Sequence, residues 1–488
     1  MNLGSAGIDL ELPDVIAYAD IRSQWHSLGP SLVEDFEDGR TSWPVNVEIV
    51  DLPKDRISVR PLARLETVHR LVYEALVIAA AADISKEVSK SVYSSCWWSR
   101  RQRFLSPVGR WIKMQRAALD FHVRNPDLFL ATTDIASFYE HIDISILSDD
   151  IRRLGVQEWI SVALRQFLEA FNGLSSAWGI PQGSDMSGLL ANLYLTQFDE
   201  EIRRSGFKHF RYSDDTYIFG PDEDSLRGVL ISANRTLRHR HLNIAGSKTA
   251  IVSGDAAMSK LEDKQKDAIN YGLRIGLPGV EVDVRSLFDN ATKDLINIRD
   301  VRFSLTKMRE LRDDYAVGWI LENVEEIPHA AREVVVYLDS FPRLKGYISA
   351  SLIRIFSGSR VGNFPYIQQH LLIYFIRNSV RGAALVDKAW EILLDKNVET
   401  FVREMAARYL GLFGTVGSSG RLKQLFREET NNKLRRALLV ACCESRQGTN
   451  EWLKVVGDSD RSLKITADYL QEGPKKIPYP QFERPPWR

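Results

Sequence analysis

Residues 210–219 place two adjacent aspartates, Asp214 and Asp215, between two apolar and aromatic runs. This pattern predicts a β-hairpin whose tight turn carries both carboxylates. Neighbouring strand residues point to opposite faces, whereas two consecutive side chains at a turn can approach one ion. Two close like charges are unfavourable unless a cation balances them. The hairpin therefore predicts a metal site, with an ordinary solvated turn as the alternative, because Asp is common in turns.

Composition bounds what the rest of the chain can be. The 488 residues are 44% hydrophobic and 26% charged, which is typical of globular proteins, and the length predicts roughly two to four domains. A net charge of zero excludes a global attraction to nucleic acid, so only local basic clusters could bind it. Three cysteines (Cys96, Cys442 and Cys443) form no disulfide framework. With no 18-residue apolar run and no signal-peptide pattern, we expect a cytoplasmic protein without a membrane partner.

A basic and aromatic stretch begins at residue 92 and carries no acid between Arg100 and Arg116. Interleaved basic and aromatic side chains suit phosphates and stacked bases. An amphipathic helix with a basic solvent face is the alternative. Upstream, apolar spacing predicts helices over residues 12–19 and 65–82.

Two further segments carry candidate functional residues. Residues 128–133 predict a buried strand that ends at Asp134, which could bind a metal or simply cap a helix. Residues 178–184 form a Gly- and Pro-containing loop before an apolar helix. Such a loop is a natural anion site, although it can also be only a connection.

Nucleotidyl transfer would account for these carboxylates. The reaction needs two divalent cations about 3.5–4 Å apart, which bracket the attacking and leaving oxygens. Mg²⁺ takes hard oxygen ligands from a few carboxylates, substrate phosphates and water. Asp134 and the pair Asp214 and Asp215 could supply those oxygens, with a carbonyl such as that of Ile135 completing the set.

Taken together, these segments resemble reverse transcriptases in order and spacing. The matching segments are residues 134–139 (motif A), 179–195 (motif B), 212–215 (the Tyr-x-Asp-Asp box, motif C) and 242–249 (motif D). Arg60-Pro61 and residues 93–103 resemble the two fingers motifs. The resemblance covers roughly residues 53–249 and implies an α+β fold of polymerase fingers and palm.

The resemblance also implies a role for each matching residue. Asp134 and Asp214 would bind two Mg²⁺ ions, for which Mn²⁺ can substitute, with Asp215 in support. Tyr139 would be the sugar gate that favours dNTPs over NTPs. The remaining implied contacts are with the nucleotide: Gln182 and Gly183 shape its pocket, Lys248 neutralises or protonates the pyrophosphate, and Arg60 with Arg100 or Arg101 clamps the triphosphate.

The chain departs from the family in two places. Motif B usually reads Ser-Pro-Leu-Ser-Pro, whereas residues 184–188 read Ser-Asp-Met-Ser-Gly and lack both prolines. No clear primer-grip motif follows Ile251. Both departures point away from ordinary templated primer extension.

The second half predicts helices only, beyond roughly residue 290. Helical segments over residues 328–338, 402–414 and 433–443 resemble degenerate HEAT repeats. The expected organisation has five parts: an N-terminal segment (1–45), fingers and palm (46–260), a helical connector (261–325), an all-α HEAT-like domain (326–473) and a Pro-rich tail (474–488).

A reverse-transcriptase palm followed by helical repeats resembles the bacterial abortive-infection enzymes of the AbiK type, including those of P2-like prophages. This resemblance implies homo-oligomers that defend against phage by making DNA without a template, primed from a protein hydroxyl. Its expected partners are dNTPs and a single-stranded DNA product that is covalently attached. Tyr18 is the candidate priming residue, because no other tyrosine precedes Tyr73. The alternatives are a templated enzyme that copies a partner RNA and a helical-repeat binding protein with a vestigial palm.

Overall fold

The computed structural model describes residues 10–41, 43, 47–55, 58–174, 177–358 and 360–482. The chain divides into two compact units, which we call the central unit (residues 42–50 and 61–271) and the terminal unit (residues 1–41, 51–60 and 272–488). The five-part division of the chain stays a prediction. Within the described ranges, none of the helices is long and apolar enough to cross a membrane.

The central unit is built on a four-stranded antiparallel sheet with the order β6–β7–β5–β8. The described chain also contains two short two-stranded sheets, β1–β2 and β3–β4. The strands are β1 (Glu48–Pro53), β2 (Val59–Arg64), β3 (Trp97–Trp98), β4 (Arg103–Phe104), β5 (Phe129–Thr133), β6 (Lys208–Tyr212), β7 (Asp215–Gly220) and β8 (Ala250–Val252).

The register of the strands brings Asp134 and the pair Asp214 and Asp215 to the same end of the four-stranded sheet. Strands β6 and β7 form the predicted hairpin, with Tyr212 paired to Asp215 and a two-residue turn at Ser213 and Asp214. Strand β5 lies antiparallel to β7, and its last residue, Thr133, pairs with Thr216. The next residue after β5 is Asp134, so it emerges beside the hairpin turn.

Helices cover this sheet because its side chains are apolar. Leu130 and Phe219 pack with Met114 of one helix and Leu261 of another in a single buried cluster. Burying such side chains is the main favourable term in folding. The helices up to this point are α1 (Ala19–Ser23), α2 (Trp25–Glu37), α3 (Thr67–Glu87), α4 (Pro107–Arg124), α5 (Ile144–Arg153), α6 (Glu158–Asn172), α7 (Asp185–Tyr194), α8 (Thr196–Arg204), α9 (Glu223–Arg238) and α10 (Gly254–Leu261).

The remainder of the described chain is helical, as the sequence predicts. Its helices are α11 (Lys264–Ile275), α12 (Val280–Thr292), α13 (Ile298–Leu311), α14 (Val317–Asn323), α15 (Ala331–Asp339), α16 (Lys345–Ser357), α17 (Pro365–Arg377), α18 (Ala383–Leu394), α19 (Thr400–Phe413), α20 (Val416–Glu428), α21 (Asn432–Glu444), α22 (Asn450–Ser459) and α23 (Lys464–Gln471). Their assignment to HEAT-like repeats stays a prediction.

The predicted helix over residues 12–19 is wrong. Asp14 Oδ1 accepts hydrogen bonds from the backbone N–H groups of Ile16 (3.0 Å) and Tyr18 (2.8 Å). This local side-chain bonding competes with helix formation. The chain therefore turns over residues 15–18, and helix α1 begins at Ala19.

The Pro-rich tail packs on the terminal unit. Arg408 Nη1 donates to the carbonyl of Pro478 (2.6 Å), and Arg377 Nη1 donates to that of Pro480 (3.2 Å). Phe482 is buried and stacks on His370, with ring centroids 5.6 Å apart. Residues 483–488 of the predicted tail and residue 46 of the predicted fingers lie outside the described residues.

Candidate active site

The structure brings Asp134 and Asp214 into contact. Their carboxyl groups lie close enough for each to shift the pKa of the other. Asp134 is buried, Asp214 is half-buried, and Asp215 is exposed on the first residue of β7. The sheet therefore joins two carboxylates that are far apart in the sequence, and Asp215 stands beside them.

Lys248 is the cationic member of this cluster. It ends a short 3₁₀ turn (Gly246–Lys248), and its Nζ forms an ion pair with Asp134. The backbone fixes this approach, because Ala245 N donates to the carbonyl of Asp134 (2.7 Å) and Ile135 forms a bridge with Ile244. The lysine thus balances part of the carboxylate charge.

The two carboxyl groups differ in proton affinity. Burial, the hydrogen bond to Asp134 and the negative charge of Asp134 raise the pKa of Asp214 to about 6. Burial alone would raise the pKa of Asp134 as well. The hydrogen bond from Asp214 and the ion pair with Lys248 outweigh it and hold that pKa below its ordinary value. Of the two groups, Asp214 is therefore the one that takes up a proton first as the pH falls.

The carboxylate pair suits a hard cation. Among the described residues, no three His, Cys, Asp or Glu side chains form a ready-made ligand cluster. Mg²⁺ does not require one, since one or two carboxylates commonly suffice when substrate phosphates and waters fill the other positions. The raised pKa of Asp214 shows that the negative charge of the pair is only partly balanced, even though Lys248 pairs with Asp134. Asp134 and Asp214 fit the predicted cation by this criterion.

Tyr139 and the loop over residues 178–184 lie against each other. Ile180 N donates to the carbonyl of Tyr139 (3.2 Å). Gly179 has a positive φ of 68°, and a Cβ there would lie 2.0 Å from the same carbonyl oxygen. Gln182 is half-buried, and its carbonyl accepts from the N–H of Ala63 in β2 (3.1 Å). Gly183, also half-buried, has a φ of 113°.

Gly188, in helix α7, explains part of the unusual motif B. A Cβ at this position would lie 2.1 Å from Ser95 Oγ, and 3.6 Å from the Tyr139 hydroxyl. The neighbouring Ser187 Oγ lies 2.8 Å from the hydroxyl of Tyr73 and donates to the carbonyl of Pro181. A proline ring at Gly188 has no room while Ser95 packs there.

A family model identifies the kind of domain that contains this site. Residues 58–275 match the family model described as reverse transcriptase (RNA-dependent DNA polymerase). The chain contains a reverse transcriptase domain. It is accordingly a nucleotidyltransferase, and the domain implies nucleotides and nucleic acid as substrates and divalent metal ions, typically Mg²⁺, as cofactors.

Solved telomerase structures are also similar to the chain. Apo telomerase from Candida Tropicalis is 11% identical, with 92% of this chain and 73% of that chain covered at a TM-score of 0.34. Telomerase from Candida albicans, in complex with a TWJ fragment of telomeric RNA, is 12% identical, with 70% of each chain covered at a TM-score of 0.33. No curated protein matches the chain. Similarity at these TM-scores does not define a substrate or a partner.

The predicted triphosphate clamp of the reverse transcriptase domain lies on exposed residues. Arg100 and Arg101 follow Trp98 at the tip of the β3–β4 hairpin. The guanidinium groups of Arg101 and Arg103 lie over the Trp98 ring, 5.1 and 5.5 Å from its centroid. Arg60 is exposed on β2 and falls in the terminal unit. The clamp stays a prediction for all three predicted arginines.

Tyr18 also falls in the terminal unit. It is half-buried and has a positive φ of 53°, in the segment that the Asp14 side chain organises. Its priming role stays a prediction.

Sequence reasoning missed the support of the hairpin turn. Arg211 is fully buried beneath the turn and contacts Asp199, Asn192 and the carbonyl of Ser213. A signal was present, because Arg211 stands between two aromatic residues, Phe210 and Tyr212, just before the turn. A charged side chain at such a position needs buried partners.

Proposed function

We propose that this reverse transcriptase domain is a DNA polymerase that joins dNTPs at the Asp134–Asp214 pair. The contact between these two carboxyl groups, with Lys248 paired to one of them, carries the proposal. Nucleotidyl transfer needs concentrated negative charge to hold cations and a nearby cationic group for the leaving pyrophosphate. Both are present within one cluster.

In this proposal, Asp134 and Asp214 hold two Mg²⁺ ions, Asp215 supports them, and the carbonyl of Ile135 is a further oxygen ligand. The ions, when bound, acidify the attacking hydroxyl and neutralise the triphosphate. Lys248 is held protonated, because its ion pair with Asp134 raises its pKa. It exchanges this carboxylate for the pyrophosphate and donates a proton to it.

The nucleotide lies between motif A and the motif B loop. The ring of Tyr139 stacks under the deoxyribose and crowds a 2′-hydroxyl. Gln182 and Gly183 form the adjoining wall, which the hydrogen bond from Ala63 to the Gln182 carbonyl steadies. In this proposal, Arg100 or Arg101 clamps the triphosphate.

We further propose that synthesis is untemplated and starts from a protein hydroxyl. In the described chain beyond Val252 there is no strand, so no β-hairpin primer grip follows β8 there. A priming hydroxyl must come within about 3–3.5 Å of the α-phosphate, in line with the leaving group. Tyr18 is the candidate, and the growing strand would stay attached to it.

The biological part of the proposal rests on the sequence resemblance to AbiK-type enzymes. It comprises a homo-oligomer in the cytoplasm that causes abortive infection and so defends a bacterial population against phage. Phage plating on cells that carry the wild-type chain or Asp134→Asn tests it. Protection that survives the substitution would separate defence from nucleotidyl transfer.

Incubation of the purified full chain with dNTPs and Mg²⁺, without nucleic acid, tests the activity. We expect a ladder of nucleotide masses on the intact protein by mass spectrometry, mapped by peptide analysis to one residue. Asp214→Asn should abolish it, whereas Asp224→Asn, an exposed carboxylate on α9, should not. Equal ladders from wild type and Asp214→Asn, or none from wild type with or without a primed template, contradict the proposal.

The exposed surface of the β3–β4 hairpin favours a second candidate, templated copying of a partner RNA. The exposed Trp98 ring lies beside two guanidinium groups, and no acid occurs between Arg100 and Arg116, a combination of aromatic and basic side chains that suits a nucleic-acid strand. An RNA of defined sequence that co-purifies with the chain, and is copied when a primer and dNTPs are added, would support this candidate over untemplated synthesis.

A further inference from the structure

Arg211 lies under the hairpin turn with none of its side chain exposed. Its Nε and Nη2 donate to the two carboxylate oxygens of Asp199, in helix α8, at 2.8 and 2.7 Å. His209 Nε2 lies 3.2 Å from the same carboxylate. A bidentate pair of this kind fixes the plane of the guanidinium as well as its position.

The remaining nitrogen of Arg211 points to the turn. Nη1 donates to the carbonyl of Ser213 (2.8 Å) and to Asn192 Oδ1 (3.0 Å) in helix α7. The N–H of Ser213 donates in turn to Ser94 Oγ (2.8 Å), and Asn192 Nδ2 donates to the Ser94 carbonyl (2.9 Å). Both backbone polar groups of Ser213 are thus held by buried side chains.

Ser213 needs this support because its φ is 57°. A residue with a side chain seldom adopts this left-handed conformation unless its surroundings impose it. The conformation of Ser213 sets the direction in which the next residue, Asp214, leaves the turn. Asp214 is the group that meets Asp134. A change in the backbone conformation of Ser213 would therefore move the Asp214 carboxylate relative to Asp134.

We propose that Arg211, acting with Ser94 and Asn192, is a positioning residue that holds the Ser213 turn so that the Asp214 carboxylate stays beside Asp134. The inference rests on the proposed role of Asp214 in nucleotidyl transfer. Arg211 has two functions that can be separated: its contacts with Asp199 stabilise the buried charge, and its contact with Ser213 sets the turn. The carbonyl and the N–H group of Ser213 are thereby held through side chains that belong to, or are bound by, helix α7, helix α8 and the segment at Ser94.

The test uses variants that alter the turn and leave Arg211 paired with Asp199. Ser94→Ala removes the acceptor for the Ser213 N–H, and Asn192→Ala removes the bridge between Ser94 and Arg211. Both should lower kcat for dNTP incorporation by about 10- to 100-fold, since small misplacements of catalytic groups cost this much. KM for the dNTP should stay within about threefold, because the nucleotide pocket is unchanged.

His209→Leu is the matched control. It removes a contact of Asp199 in the same buried cluster without touching the turn, so it should lower the unfolding midpoint and leave kcat unchanged. All variants are assayed at a temperature at which circular dichroism shows them folded. A full kcat for both Ser94→Ala and Asn192→Ala, or an equal loss in His209→Leu, overturns the positioning role. Asp214→Asn separates the two hypotheses, because undiminished activity in that variant removes the proposed function itself.

Discussion

A Cβ at Gly179 would lie 2.0 Å from the carbonyl oxygen of Tyr139, so the motif B loop can rest on the motif A turn only through a glycine. The φ of Gly179, 68°, adds a second requirement for glycine. Two segments that the sequence marks separately as functional are therefore joined by a backbone contact at the candidate sugar gate.

Gly179→Ala should destabilise the chain by about 2–5 kcal/mol, through the left-handed backbone and the overpacked contact together. It should also raise KM for dNTPs, because the loop must move away from Tyr139. Gly206→Ala is the matched control: its φ is 85°, but nothing lies within 4 Å of its Cβ. That control should cost about 1–2 kcal/mol and leave KM unchanged. Chemical unfolding and steady-state kinetics measure both, and equal effects of the two changes would contradict the packing argument.

Gly188→Ala should weaken activity because the new Cβ would meet Ser95 Oγ at 2.1 Å and lie 3.6 Å from the Tyr139 hydroxyl. We expect weaker selection of dNTPs over NTPs, measured as the ratio of kcat/KM values. The double variant Gly188→Ala/Ser95→Gly should regain the selection of dNTPs over NTPs, since the obstructing hydroxyl is gone. Gly228→Ala, in an open helical position, should instead stabilise by about 0.5–1 kcal/mol. Failure of Ser95→Gly to restore selection would show that Gly188 acts by another route.

Local patterns were sufficient to predict the hairpin that carries Asp214 and the helix near it. The strand–turn–strand at residues 208–220 and helix α3 follow from alternation and helical spacing, which act over a few residues. The meeting of Asp134 with Asp214 required the family resemblance, since nothing in either segment specifies the pairing of β5 with β7.

Long-range polar contacts escaped prediction for the same reason. Ser94 and Ser213 are 119 positions apart, and Asp14 and Arg436 are 422 apart. Periodicity carries no information about such partners. The N-terminal segment therefore looked like an amphipathic helix, whereas Asp14 turns the chain and binds Arg436 within the terminal unit.

Arg436→Met should destabilise the terminal unit by about 3–5 kcal/mol, because it leaves Asp14 and Asp20 buried without a counter-charge. Burial opposes ionisation of Asp14, but Arg436 holds its pKa below the ordinary value. The wild type should therefore lose this stabilisation as the pH falls below the ordinary pKa of an aspartate and through the lower pKa of Asp14.

The variant should respond to pH in the opposite sense, because without the guanidinium burial raises the pKa of Asp14 and protonation relieves the unpaired charge. The stability difference between wild type and Arg436→Met should thus narrow from about pH 7 to about pH 4. Denaturant titrations at several pH values measure it. Arg461→Met, which removes an exposed pair with Asp35, should cost less than about 1 kcal/mol at every pH. If the stability difference between wild type and Arg436→Met did not change with pH, a role for the Asp14 charge would be excluded.

Lys248→Met tests the leaving-group role of the lysine. The methionine keeps most of the length of the side chain but removes the proton and the charge, so kcat should fall by about 100-fold, as is typical for loss of a general acid. The ion pair with Asp134 raises the pKa of Lys248, so the wild type should show an alkaline limb, a loss of activity at high pH where the lysine deprotonates. That alkaline limb should be missing from the pH–rate profile of the variant. Lys260→Met, on the exposed face of α10, should retain both kcat and the limb. An alkaline limb that persists in Lys248→Met would assign it to a different group, and the lysine would then act only as a counter-charge to Asp134.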